Sequence, residues 1–194
     1  DSSGAKLAVV GDVNEAPLQA KVTASSADAL TSLTDVNFGL DMNLGDVHLE
    51  GKALVRDLRA PNTPQIEIVL QGPSVEYFTE LLKLPPFSQG ALDLGISVQP
   101  GIEQMVVRLD GLVGDFSGVI SGTVNDLRTL TDVELAVAVS GPDIGRLADL
   151  LGAPNFPHVP FSATGKVKRN QQRLNVSESR INIGRLQIAA GLDI

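Results

Sequence analysis

The chain has 194 residues and a formal charge of −8, with neither Cys nor Trp. Lack of Cys excludes a disulfide scaffold, a thiolate metal site and a cysteine nucleophile, and it is compatible with an oxidising compartment. The acidity fits poorly with nucleic acid or an anionic membrane surface, and no apolar run reaches the roughly 18 residues of a spanning helix.

The length suits one large domain or two small ones. The opening DSSGAKLAVV carries no signal-peptide pattern, and the closing AAGLDI reads as a strand. The chain therefore reads as a single β-rich fragment, residues 1–194, of a longer protein whose targeting or anchoring segment lies elsewhere.

In chain order, GDVNEA at 11–16 reads as a turn between strands. Val36, Phe38, Leu40, Met42 and Leu44 then alternate with period two, as do Ile66, Ile68 and Leu70. A short helix is expected near 74–83, with Val75, Phe78 and Leu82 as its apolar stripe and Pro73 and Pro85 as its brackets. Alternation resumes at Leu92, Leu94, Ile96 and Val98, turns at Pro100-Gly101, and continues through Met105, Val107 and Leu109. GLVGDFSG at 111–118 is another turn, followed by the row Val133, Leu135, Val137 and Val139.

A second helix is expected near 143–151. Ile144, Leu147, Ala148 and Leu151 share one face, Pro142 suits the first position, Asp143 the first turn and Gly152 the end. Such helices, about eleven residues long, are marginal alone and must dock on the sheet. Beyond the turn at Asn170-Gln171, Leu174 with Val176, Ile181 with Ile183, and Leu186 with Ile188 continue the alternation in shorter units. Alternation predicts roughly ten to twelve strands.

Residues 45–84 align on 114–153 without a gap, at an offset of 69. Gly45-Asp46 meets Gly114-Asp115, Asp57-Leu58-Arg59 meets Asp126-Leu127-Arg128, and Gly72-Pro73 meets Gly141-Pro142. Pro86-Phe87-Ser88 recurs as Pro160-Phe161-Ser162, and Gly184-Arg185 echoes Gly114-Asp115. Quasi-repeats are placed at about 1–71 (partial), 72–140 and 141–194 (partial). The expected fold class is mainly β: repeated antiparallel units, each with one short amphipathic helix, forming a curved sheet or open groove. A closed β-sandwich is the alternative, because the same rows would fill one.

The order SGPDIGRLADLLG, a Pro-rich crossing, PFSATGKV, LNVSESRINIG and GRLQIAAGLDI resembles the C-terminal region of the AsmA family (AsmA/TamB/YhdP-like proteins) over about residues 72–194. Glu76 and Tyr77 depart from its Leu- or Ala-rich helix, and Arg185 stands where its motif has Asp. The resemblance implies a non-enzymatic periplasmic module of outer-membrane biogenesis. The full-length protein would be anchored in the inner membrane by a segment absent from this chain. Phospholipid or another acyl-chain lipid would be bound or conducted along an apolar β-groove, with outer-membrane assembly proteins as further partners.

The candidate groove lining is Leu92, Leu94, Ile96, Met105, Val107, Phe116, Ile120, Leu135, Val137, Ile181, Ile183, Leu186 and Ile188. Acyl chains need continuous apolar surface rather than placed polar groups. The competing reading is a structural or interaction spacer with a closed core. No motif supports an enzyme, and neither a cofactor nor a metal is expected: His48 and His158 are far apart, and neither the P-loop nor the H-E-x-x-H pattern occurs.

Overall fold

The computed structural model describes residues 4–59, 64–81, 83, 90–126, 129, 131–150, 153, 155–170 and 173–193. The strands are β1 (Lys6–Val13), β2 (Ala16–Ala24), β3 (Thr34–Leu44), β4 (Val47–Asp57), β5 (Gln65–Gly72) and β6 (Leu92–Pro100), then β7 (Met105–Val113), β8 (Phe116–Asp126), β9 (Thr131–Gly141), β10 (Phe161–Asn170), β11 (Arg173–Ile183) and β12 (Leu186–Asp193). Three short helices, α1 (Ala27–Ser32), α2 (Val75–Leu81) and α3 (Ile144–Leu150), follow β2, β5 and β9. All twelve strands form one antiparallel sheet in sequence order.

Among the described residues β1 and β12 do not pair, so the sheet is not a barrel, and no second sheet faces it. The closed β-sandwich is thereby corrected. Each strand pairs with the one that precedes it in the chain.

Two-residue turns set much of the register. Val13↔Ala16, Leu44↔Val47, Val113↔Phe116 and Ile183↔Leu186 are opposite one another across them. The tight turns at 45, 114 and 184 each place a glycine first, with φ of 57°, 61° and 57°. Glycine adopts that left-handed backbone without a Cβ penalty. The N–H groups of Gly45, Gly114 and Gly184 donate to the carbonyls of Pro17, Ala91 and Pro160, each at 2.8 Å. One bond thus recurs every four strands.

Helices α2 and α3 also recur at the offset of 69 residues. Their first N–H groups donate to Gly90 (2.8 Å) and Val159 (3.0 Å), again 69 apart. One helix per repeat nevertheless does not hold. Strands β1 and β2 meet in a two-residue turn without a helix, and α1 lies at the opposite strand end, between β2 and β3. The expected boundaries at 71/72 and 140/141 fall one residue before the ends of β5 and β9.

The helices begin one residue later than expected because the flanking residues act as N-caps. Ser74 Oγ accepts from Tyr77 N–H at 3.1 Å, and Asp143 Oδ1 accepts from Arg146 N–H at 3.2 Å. Asp143 is therefore an N-cap, not a first-turn residue, and Pro142 precedes the helix. Helix α1, absent from the sequence reading, is capped by Ser26. Leu82, Pro85, Pro86-Phe87-Ser88, Leu127, Arg128, Leu151, Gly152 and Gln171 lie outside the described residues, as does the side chain of Phe78.

The two expected short units at Leu174/Val176 and Ile181/Ile183 are a single strand. Its register with β10 gains one residue on β11, where Thr164↔Arg180 is followed by Lys166↔Ser177. This β-bulge switches the apolar positions from even to odd numbers without turning the strand over.

The buried side chains lie toward the strand ends. Val47, Leu92, Phe116 and Phe161 are buried at the end where α2 and α3 are inserted, as are Val75, Thr79 and Ala148 of those helices. Val36, Met105, Val124 and Val133 are buried toward the other end. Gly141 lies in register between Phe116 and Phe161, whose ring centroids are 6.2 Å apart. A Cβ on Gly141 would collide with Phe116, so the glycine lets the two rings close over it.

Candidate functional site

Following the register from strand to strand sorts the side chains onto two faces. Val9 is opposite Ala20, Ala20 opposite Met42, Met42 opposite Leu49, and Leu49 opposite Leu70. The row continues through Leu94, Gly111, Gly118, Val139, Ala163, Ile181 and Ile188 to the last strand. Neighbouring rows, two residues away along each strand, are built of the same residue types. Over four successive rows the described side chains are Ala, Val, Ile, Leu, Met, Phe or Gly, with Ser179 at the bulge as the polar exception. Twelve strands about 4.8 Å apart and rows about 7 Å apart make a surface on the order of 50 by 20 Å.

Among the described residues that surface lacks a second layer. A chain of 20.4 kDa folded to ordinary compactness exposes about 8,800 Å²; this one exposes 12390 Å². Domains ordinarily cover an apolar sheet face with helices or another sheet. Here three helices of six or seven residues do not span it.

All thirteen candidate residues fall on this face. Leu92, Leu94 and Ile96 project from β6, opposite Val113, Gly111 and Leu109 of β7. Met105 and Val107 of β7 face Val124 and Gly122 of β8. Ile120 is opposite Val137, and Leu135 is opposite Gly122. Ile181 and Ile183 of β11 pair with Ile188 and Leu186 of β12. The residues differ in access, however. Leu92, Met105 and Phe116 are buried and serve the fold, whereas Ile96 is 36% and Leu186 57% exposed. The others are half-buried, apart from exposed Ile188. The sequence reading missed Leu40, Met42, Leu49 and Ile68 as members of the same surface, although two of their strands had been recognised by alternation.

The opposite face is mostly polar, although Val10, Val69, Val106, Leu112 and Val119 are exposed on it. Lys52 Nζ lies 2.7 Å from Glu50, Arg108 Nε 2.7 Å from Asp110, and Lys168 Nζ 2.9 Å from Glu134. The hydrogen bond and charge of Lys52 hold Glu50 below the usual carboxylate range, and Glu50 raises Lys52 in return. The Glu178 hydrogen bond and charge likewise raise Lys166. A depression of about 830 Å³ near α1 is lined by Asn37, Lys52, Gln65 and Glu67 of this face together with Phe38, Ala53, Leu54 and Val98.

His48 sits on the polar face, 2.9 Å from Asn43 Oδ1. His158 has a partner that sequence spacing did not disclose: its Nδ1 lies 3.0 Å from both carboxylate oxygens of Asp143, the cap of α3. Burial pushes Asp143 up, but the hydrogen bond and charge of His158 and the N–H groups of Arg146 and Gly145 outweigh it and hold the carboxyl below its usual range. Among the described residues no cluster of three or more His, Asp or Glu could hold a metal, and no helix is long and apolar enough to cross a membrane.

Comparison with protein-family models, curated proteins and solved structures gives no match for this chain.

Proposed function

We propose that the chain is a non-enzymatic module that binds phospholipid by its acyl chains along the open apolar face. The observation that carries this reading is the set of continuous aliphatic rows without a covering layer. An apolar patch of about 1,000 Å² on an otherwise polar chain marks an interaction surface. Each CH₂ of a tail withdrawn from water gains about 0.8 kcal/mol. The rows demand no placed polar partner, so a tail can shift along them and conduction from strand to strand needs no site to be broken. The AsmA-like sequence features support the same reading: a periplasmic place, an inner-membrane anchor outside this chain, and a role in outer-membrane biogenesis with assembly proteins as partners. The polar face would stay in water.

The test is photo-crosslinking to phospholipid, with native mass spectrometry of the purified chain for co-purified lipid. Ile96→Asp and Val137→Asp place a carboxylate among the rows, where it must keep its water; both should lower crosslinking. Ser97→Asp, on the polar face of the same strand, should leave it unchanged. Folded variants that crosslink like the parent, or a parent that takes up no lipid, overturn the proposal.

A further inference from the structure

Over the four aliphatic rows the described side chains include one hydroxyl, that of Ser179 on β11. Val137 is opposite Gly165, and a Cβ on Gly165 would lie 3.0 Å from Ser179 Oγ. The hydroxyl is therefore on the apolar face, where Gly165 has no side chain. Its neighbour on the other strand, Ala190, is also small. Ser179 is half-buried between them, and Ile181 and Ile188 stand in the next row.

The bulge in β11 aims the serine there. Between Thr164↔Arg180 and Lys166↔Ser177, β11 carries one residue more than β10. Glu178 has a φ of 52°, a left-handed backbone that residues other than glycine seldom adopt. Its carboxylate accepts from Lys166 Nζ at 2.7 Å on the mostly polar face. Unbroken alternation from Val176 would put Glu178 on the apolar face and Ser179 on the polar one. The bulge reverses that assignment.

A serine that serves only its own bulge bonds to nearby backbone. Ser179 does not: among the described residues no group donates to its hydroxyl or accepts from it, and the oxygen is not sealed from solvent. A donor left open among aliphatic side chains suits a ligand with an acceptor at the end of its apolar part.

We propose that Ser179 is a positioning residue for bound lipid, its hydroxyl donating to the carbonyl oxygen of an acyl ester while the tail lies along the adjacent rows. This inference rests on the lipid-binding reading above. A phospholipid diester carries that oxygen at the top of each tail, and the headgroup beyond it projects from the open face into water. The rows alone let a tail slide, and Ser179 supplies a place where it stops in a fixed register. A free fatty acid offers related oxygen chemistry in its carboxylate, so the test separates the two sources.

The full chain is incubated with equal amounts of a dioleoyl diester phospholipid and its diether analogue, and native mass spectrometry reads which is bound. The analogue has the same tails and headgroup but lacks the carbonyl. One net hydrogen bond corresponds to about a two- to tenfold preference, so the parent should hold the diester in that excess. Ser179→Ala should hold both equally, and Ser179→Thr, which keeps the hydroxyl, should keep the preference. The ester carbonyl infrared band of bound lipid should lie at lower frequency in the parent than in Ser179→Ala, a shift that a merely structural role would not produce. Equal uptake of both lipids by the parent overturns this inference and leaves lipid binding standing, and it decides the matter even where Ser179→Ala fails to fold. A preference that survives in folded Ser179→Ala overturns it too. Uptake of neither lipid overturns lipid binding and this inference with it. In a third arm with oleic acid, a loss in Ser179→Ala confined to the fatty acid assigns the hydroxyl to a carboxylate and overturns the ester assignment.

Discussion

Val36 and Phe38 lie on the same face of β3, two residues apart, yet Val36 is fully buried and Phe38 is 37% exposed. Strand β6 repeats the contrast between Leu92, 3% exposed, and Ile96. The residue types hardly differ between the strand ends and the strand middles; the covering does. Helices and tight turns lie at the ends, while among the described residues the middle rows meet only their neighbours in the sheet. Burial of a large aliphatic or aromatic side chain contributes about 1.5–3 kcal/mol, so the ends supply much of the fold's stability. The middles keep apolar surface in reserve.

The sharpest way to break that contrast is truncation at each place. Phe116→Ala removes a buried ring that packs near Phe161, and it should destabilise the chain by about 3–5 kcal/mol in a urea melt. Ile96→Ala, already partly in water, should cost about 1 kcal/mol or less. Equal losses would show that the middle of the face is closed in solution by something as well packed as the ends.

The alternation was legible because each strand has one apolar and one mostly polar face, and two periods cannot be confused over nine or eleven residues. The repeat was legible for a related reason: Gly45 and Gly114 occupy turns that need positive φ, and Gly72 and Gly141 sit in matching places among buried apolar side chains. The missing layer was not legible. Leu92 and Ile96 carry the same sequence signal, and only the path of the chain decides which one is covered. Helix α1 was missed because its six residues carry no full apolar stripe, although Ser26 followed by Asp28 is a start signal. The clasp of His158 on Asp143 spans fifteen residues through a Pro-rich crossing, and no local pattern discloses such a pair.

That clasp offers a smaller test at the covered end. Asp143, 17% exposed, accepts from the first turn of α3 and faces His158, so it ties the crossing to the helix. Its carboxyl titrates below its ordinary value of 3.8. A group lowered by folding contributes stability above its unfolded pKa and loses it as pH falls through the folded one. The clasp should therefore be intact at neutral pH and release only in acid, below about pH 4. Hydrogen exchange of the α3 amides should rise there in the parent. Asp143→Asn should show faster exchange at neutral pH and little further change on acidification. An acid response that survives in Asp143→Asn would place the switch elsewhere.

The smallest effect belongs to the polar face. Lys168 and Glu134 sit opposite each other on β10 and β9, 2.9 Å apart, with side chains 47% and 55% exposed. Such a pair gains little Coulomb energy in water, spends side-chain entropy and is screened by salt. A double-mutant cycle through Lys168→Ala and Glu134→Ala should give a coupling of about 0.2–1 kcal/mol, falling as salt rises. Both Ala variants should bind lipid like the parent, because they leave the aliphatic rows untouched. A coupling of several kcal/mol would mean that the pair is shielded from water, so that the supposedly wet face is covered. The two faces would then have to exchange roles: the ladder of ion pairs would hold a partner, and the apolar rows would be its unfinished reverse side.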